Sequence, residues 1–371
     1  MKLSLFMMPL HNLGRDYSTT LKEDIEAIVY ADQLGFSEAW VGEHYTSSVE
    51  PITSPLTFLA HVAPLTKQIT LGTGVACLPQ YNPVLVAGQA AMVDHLTDGR
   101  FILGVGVGGL VSDMEVFNVE DQNRVEMMIE SVDLIQKMWT ETPPYTLKGK
   151  YWTISNEKYV WPDVGMGEML KPKQLPSPPI AVSASSPNSG SIRLAARKGW
   201  IPVSANFVAA WNVKTHWEAY CDETAKTGGV ADPEIWHVAR SIHVADTDAE
   251  AEAYVKKPGG TFDWYFDYLL RIYKRVGATA AVVVKPDDDP AAVDHVVQRD
   301  DFVIHGSPET VARKILELRD YIGPFGTLMM AAHDWQDKAA MKRSLELMAT
   351  KVMPMVNAAI AAKEPAEASA A

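Results

Sequence analysis

Eight short apolar, β-rich runs alternate with segments of helical period, and this alternation constrains the fold more than any other feature of the chain. The runs are Leu3–Met8, Ala39–Gly42, a stretch starting at Ile69, Arg100–Gly109, Ile180–Ser183, Ile201–Ser204, His237–Val244 and Thr327–Ala332. Runs without polar alternation read as strands buried on both faces. Helical crossovers between them imply parallel pairing. Eight such units predict an α/β fold, a (β/α)8 TIM barrel with loop insertions, usually about 250 residues before insertions. The 371 residues are then read as one barrel domain over 1–360. Irregular insertions are expected near 142–179 and 256–301, and a frayed tail over 361–371. The spacing of Thr20 and Glu23 predicts a capping box for the first helix.

The third run, Ile69–Pro83, is interrupted by Gly72 and Gly74 and stopped by Pro79 and Pro83. Glycine inside a strand marks a bulge or a place where a ligand or another backbone comes close. Barrel enzymes keep their chemistry at the C-terminal ends of the strands. That position singles out Met7, Met8, Glu43, His44, Gly74–Cys77, Val107–Gly109, Ser183–Ser186, Asn206 and His333. An imidazole at His44 either packs as a hydrogen-bonded group or donates to developing negative charge. The hydroxyl-rich Ser183–Ser191 segment joins a strand to a helix, as an anion site or as a simple cap. Gly104–Gly109 does not have the dinucleotide spacing G-x-G-x-x-G and reads as a loop open to a planar ligand. The aromatic run Phe262–Tyr268 is either a lid over an apolar substrate or a helix packed on the barrel.

Several function classes are disfavoured. A net charge of -13 without a basic patch argues against nucleic acid and anionic membranes. No run of about 18 apolar residues predicts a membrane span. The N-terminus reads as a first strand and not as a signal peptide. Two cysteines, Cys77 and Cys221, make no disulfide framework and fit a cytoplasmic protein. Scattered histidines without H-E-x-x-H predict no metal site, and no G-x-S-x-G elbow occurs.

Four motifs carry a family resemblance. They are Trp40–His44, Leu71–Val75 with Leu78 and Pro79, Asp94–Phe101 running into Gly104–Gly106, and Gly306–Val311. In this order they resemble the bacterial luciferase-like, flavin-dependent monooxygenases. The Ser185–Arg193 region and Phe325–Asp334 are most similar to the diketocamphane-type Baeyer–Villiger enzymes, and limonene-type monooxygenases are also similar. The resemblance implies FMN, reduced by a separate flavin reductase, and O2 activated as a flavin C4a-(hydro)peroxide. It implies catalytic roles for His44 and His333. It implies a cofactor site at Thr73, Gly74, Val75, Val107, Gly108, Ser185, Ser186, Asn188 and Ser189, with a non-proline cis bond at Gly74–Val75. Luciferase has a phosphate-binding arginine in the strand-four loop, where this chain has Val107, and many members have histidine where it has Asn82. Met8, Phe207, Phe262 and Trp264 suggest a small apolar organic substrate, such as a cyclic ketone. Family members usually form homodimers. An F420-dependent oxidoreductase and a non-catalytic flavin-binding protein are the competing readings.

Overall fold

The computed structural model describes residues 1–368, with side chains to 363. The expected tail, 361–371, falls almost wholly outside the residues whose side chains are described. Twelve strands occur among them. The first seven are β1 (Lys2–Met7), β2 (Glu38–Val41), β3 (Thr70–Thr73), β4 (Ala76–Cys77), β5 (Phe101–Gly106), β6 (Thr146–Lys148) and β7 (Thr153–Ser155). They are followed by β8 (Ile180–Ala184), β9 (Ile201–Ser204), β10 (His237–Val244), β11 (Val303–Gly306) and β12 (Thr327–Ala331). Parallel strands and helices alternate as in a (β/α)8 barrel, the expected class. The chain divides into two compact units, residues 40–182 and residues 1–39 with 183 onward.

In the unit formed by residues 40–182, β5 pairs in parallel with β3, β4 and β8. Leu71, Phe101, Leu103 and Val105 are almost fully buried, which explains their lack of polar alternation. The crossover helix Pro83–Leu96 starts on Asn82, whose side chain accepts from the Val84 N–H, with proline in the first turn. Asn82 therefore has a capping role. The expected insertion near 142–179 is not wholly irregular: β6 and β7 form an antiparallel hairpin within it.

In the other unit, β10 is the central strand, and all eight of its residues are buried. One edge pairs with β12, which pairs in turn with β1. The other edge is shared. His237 and Val238 pair with β9, and Ser241–Val244 pair with β11. β11 is four residues long and directly follows a helix, so periodicity gives no sign of it. The segment near 256–301 also corrects expectation, since helices Thr261–Arg275 and His295–Phe302 occupy much of it. The first helix, Tyr17–Gln33, is capped by Asp16 accepting from the Thr19 N–H, not by a box at Thr20. An upstream aspartate at the chain's turn into the helix takes the amide first. The helical run Lys338–Lys363 is long and apolar enough by composition to cross a bilayer. Its buried Met341, Leu345, Met348 and Val352 mark the face that packs on β10 and the helix Pro308–Ile322.

Candidate functional site

Residues 40–182 bring His44, Thr73–Val75 and the loop after β5 into one set. Gly74–Val75 is a cis peptide bond, as the resemblance implied. The Gly74 N–H donates to the Val41 carbonyl at 2.7 Å, and the Thr73 hydroxyl to the Gly104 carbonyl at 2.6 Å. The glycines of β5 make room for this arrangement, a role that the reading of Gly104–Gly109 as a loop open to a planar ligand did not include. A Cβ on Gly104 would lie 1.9 Å from the Thr73 oxygen, and one on Gly106 would lie 2.4 Å from the Val75 side chain. Further along, Gly108 needs its positive φ of 79°, and Gly109 faces open space.

His44 is held by two carboxylates. Its Nδ1 lies 3.2 Å from Asp113 and its Nε2 lies 3.5 Å from Glu50. Burial opposes protonation, but Glu50, Asp113 and Glu43 outweigh it and raise the imidazole pKa above 6.5. Asp113 also accepts from the Tyr45 and Thr46 amides and the Thr46 hydroxyl. Burial would raise its pKa, but these bonds and His44 bring it down to about 2. Asp113 is thus a carboxylate, and it favours the protonated form of His44, whose Nε2 faces Glu50. Sequence reasoning missed Asp113. Its only signal is an acid in the first turn of the helix Val111–Val116.

Glu43 turns the other way. It accepts from the Cys77 N–H at 2.7 Å and the Tyr81 hydroxyl at 2.5 Å, and Tyr81 in turn accepts from Tyr45 at 2.7 Å. Burial lifts the Glu43 carboxyl to about 7 against these bonds, and pushes the Cys77 thiol well up, so Cys77 is no nucleophile. The half-buried Val107 brings no charge to the β5 loop, but Arg124 does. Its guanidinium donates to the Gly108 carbonyl at 3.1 Å. That cation, 17 positions past Val107, opens the helix Arg124–Thr140, the second after β5, so a search of the loop alone cannot find it.

The remaining predicted residues lie in the unit that contains residues 183 onward. Ser189 caps the helix Gly190–Lys198, accepting from the Ser191 N–H. Asn188 is left-handed, with φ of 51°, and its N–H donates to Thr215. The Ser185 and Ser186 carbonyls accept from Asn212 and His216, each at 2.9 Å. This bracing fixes the loop and leaves the Ser185 and Ser186 hydroxyls without protein partners among the described residues. Burial takes His216 down to about 4, so it braces as a neutral ring.

His333 is buried, with Nε2 3.1 Å from the Ser241 hydroxyl and its ring 4.5 Å from both Phe262 and Tyr265. Burial, with His243 nearby, lowers its pKa to about 3. It is a neutral imidazole, whereas the carboxylates around His44 favour that ring's protonated form. Asn206 donates to Ser241 and to Tyr265 in the same cluster. The helix Thr261–Arg275 presents Phe262 to this core, whereas Trp264 packs on Tyr268 and Arg271. Two positions apart on a helix is about 200°, so Phe262 and Trp264 do not share a face. Phe207 packs against Tyr273 and the cluster around Leu270, and Met8 is half-buried.

Comparison with known proteins matches this geometry to a family. Residues 1–323 fit the family described as luciferase-like monooxygenase. The chain is 32% identical to a 4-hydroxyprotoasukamycin monooxygenase of Streptomyces nodosus subsp. asukaensis, over 96% of this chain and 92% of that one. It is 30% identical to a limonene 1,2-monooxygenase of Rhodococcus erythropolis, over 95% and 86%. Among solved structures, the oxygenating constituent of Pseudomonas putida 3,6-diketocamphane monooxygenase, a type II Baeyer–Villiger enzyme in complex with FMN, superposes with a TM-score of 0.86. It is 30% identical, with 95% of this chain and 98% of that chain covered. Sequence and fold agree, and the chain belongs to the luciferase-like monooxygenase family.

Proposed function

We propose that this protein is a flavin-dependent monooxygenase that uses reduced FMN and O2 to oxygenate a small apolar organic substrate, with Baeyer–Villiger oxidation of a cyclic ketone as the reaction. The observation that carries the reading is His44, fixed by Asp113 at the end of β2, where Gly74 bonds to the same strand.

The residues fit an FMN in their donor chemistry. The amides at the start of the helix Gly190–Lys198, the Ser185 and Ser186 hydroxyls and Asn188 suit a phosphate. Within the unit of residues 40–182, Arg124, bonded to the Gly108 carbonyl, is a cation of the kind that suits an anionic cofactor. Reduced flavin, when bound, supplies the electrons that activate O2. The protein's part lies in its own groups. His44 keeps Nδ1 on Asp113 and, when protonated, carries at Nε2 a proton shared with Glu50 that can pass to an oxygen gaining negative charge. The neutral His333, with Ser241, Asn206 and Tyr265, forms a fixed polar cluster that positions a carbonyl-bearing substrate without adding charge. Phe262 closes that cluster off from water. The family relative described as an oxygenating constituent supports supply of reduced FMN by a separate reductase. A cytoplasmic homodimer completes the proposal.

The test is turnover with chemically reduced FMN, isotopically labelled O2 and a panel of cyclic ketones, terpenes and aldehydes, read by product mass. Label in the product with reduced FMN supports the reading. Anaerobic turnover with reduced F420 would replace it with a deazaflavin oxidoreductase. Oxygen uptake without product would leave a flavin-binding protein. In the productive assay, His44→Ala is expected to retain FMN but lose most product formation.

A further inference from the structure

The shared edge of β10 leaves a gap. Val238 is the last residue paired with β9 and Ser241 the first paired with β11, so the sheet forks at Ala239 and Arg240. A cavity of about 270 Å3 opens there, lined by Arg240, Val208, Asp301, Phe302, Lys314 and Leu318 among others. Side chains alternate along a strand, so Arg240 lies on the opposite face of β10 from Ser241, the partner of His333 and Asn206. The cavity is therefore on the helix-covered side of β10 and apart from that cluster.

Arg240 is 3% exposed and its charge is not paired. Its Nη1 donates to the carbonyls of Ala205, Val208 and Ala239. Its Nη2 is buried and has no partner. No carboxylate makes an ion pair with it among the described residues; Asp301 acts only at longer range. Burial lowers its pKa to about 10, so it remains a cation at neutral pH. A desolvated guanidinium with an idle donor is costly, and a bound carboxylate relieves it. Lys314, the second cation of the lining, donates to the His305 carbonyl. The other charged lining residues are the acids Asp300, Asp301 and Glu317; Arg299 holds Asp300 and Arg313 holds Glu317. Those acids disfavour a dianion. The Val208, Phe302 and Leu318 walls suit a short hydrocarbon body.

We propose that this cavity binds a small monocarboxylate, its oxygens on Arg240 Nη2 and its apolar end against Phe302 and Leu318. The proposal does not depend on the flavin reading. The probe is butyrate labelled at the carboxyl carbon, titrated into the full chain and followed by NMR and calorimetry. One saturable site is expected. Arg240→Gln should weaken it by about thirtyfold or more, as for loss of one partner of a buried charge pair. Leu318→Trp keeps the cation and fills the cavity, so it should abolish binding while circular dichroism stays native. Inorganic phosphate should displace butyrate only at about tenfold higher concentration or more. The proposal fails if the folded chain shows no saturable butyrate binding, if Leu318→Trp binds as the parent does, or if phosphate competes equally.

Discussion

Replacing Asp113 with asparagine removes one charge from the His44 site and keeps the shape. The carboxylate lies 3.2 Å from His44 Nδ1. A hydrogen bond between charged groups contributes about 1.5–3 kcal/mol, and one pH unit corresponds to about 1.4 kcal/mol. The His44 midpoint should therefore fall by about 1–2 units on Asp113→Asn. It should not fall further through this change alone, because Glu50 at 3.5 Å remains. The assay is an NMR titration of the His44 ring in both proteins. Stability adds a check on sign. A histidine whose pKa is raised on folding stabilises fully below its unfolded value of about 6.5, and that contribution fades as pH climbs through the folded value. The variant's deficit should therefore be larger below pH 6.5 and narrow above the parent's His44 midpoint. A residue of it persists from weakened bonds to Tyr45 and Thr46. An unchanged or raised midpoint would refute the reading that Asp113 favours the protonated form of His44. So would a deficit that widens with pH.

Glu43→Gln should lessen a pH dependence of stability. The raised carboxyl opposes folding as pH rises from 4.5 to about 7, because the unfolded chain ionises first. Urea unfolding across that range should show a smaller decline in the variant. Gly104→Ala forces a Cβ against the Thr73 carbonyl and should cost about 1–3 kcal/mol or more. Gly109→Ala enters open space and should leave the denaturation midpoint nearly unchanged. Ser189→Ala removes the cap of the helix Gly190–Lys198 and should cost about 1 kcal/mol, read by thermal unfolding.

What could be read in the sequence follows physical range. Strands buried on both faces announce themselves in contiguous residues such as Phe101–Val105, and all eight expected strands are present. Ser54, Asn82 and Ser307 each cap a helix that opens on proline, a local pattern of a small polar residue before Pro. The Thr20 box failed because two candidate caps four positions apart compete, and geometry outside the local pattern decides between them. β11 was invisible because its short apolar stretch runs on directly from the helix ending at Phe302 and is only half-buried at Ile304 and His305. The site was legible where a residue sits at a strand end, as His44 does. It was not legible where meaning comes from a distant partner. His44 and His333 look alike in sequence, yet one meets two carboxylates and the other an aromatic wall. Asp113 and Arg124 reach their partners across 69 and 16 positions.

The close fit of β5 behind Thr73 and Val75 has a bearing on how such an enzyme can diversify. Two hydrogens, where Gly104 and Gly106 lack side chains, act as the template against which the Gly74–Val75 turn is moulded. The contour of that turn is shaped by the neighbouring strand, while the Gly74 N–H ties it to Val41. Side-chain chemistry and backbone relief thus draw on different residues: substitution at the His44–Asp113 pair adds no atom against the turn, whereas the turn resists change at Gly104 and Gly106 on the strand beside it.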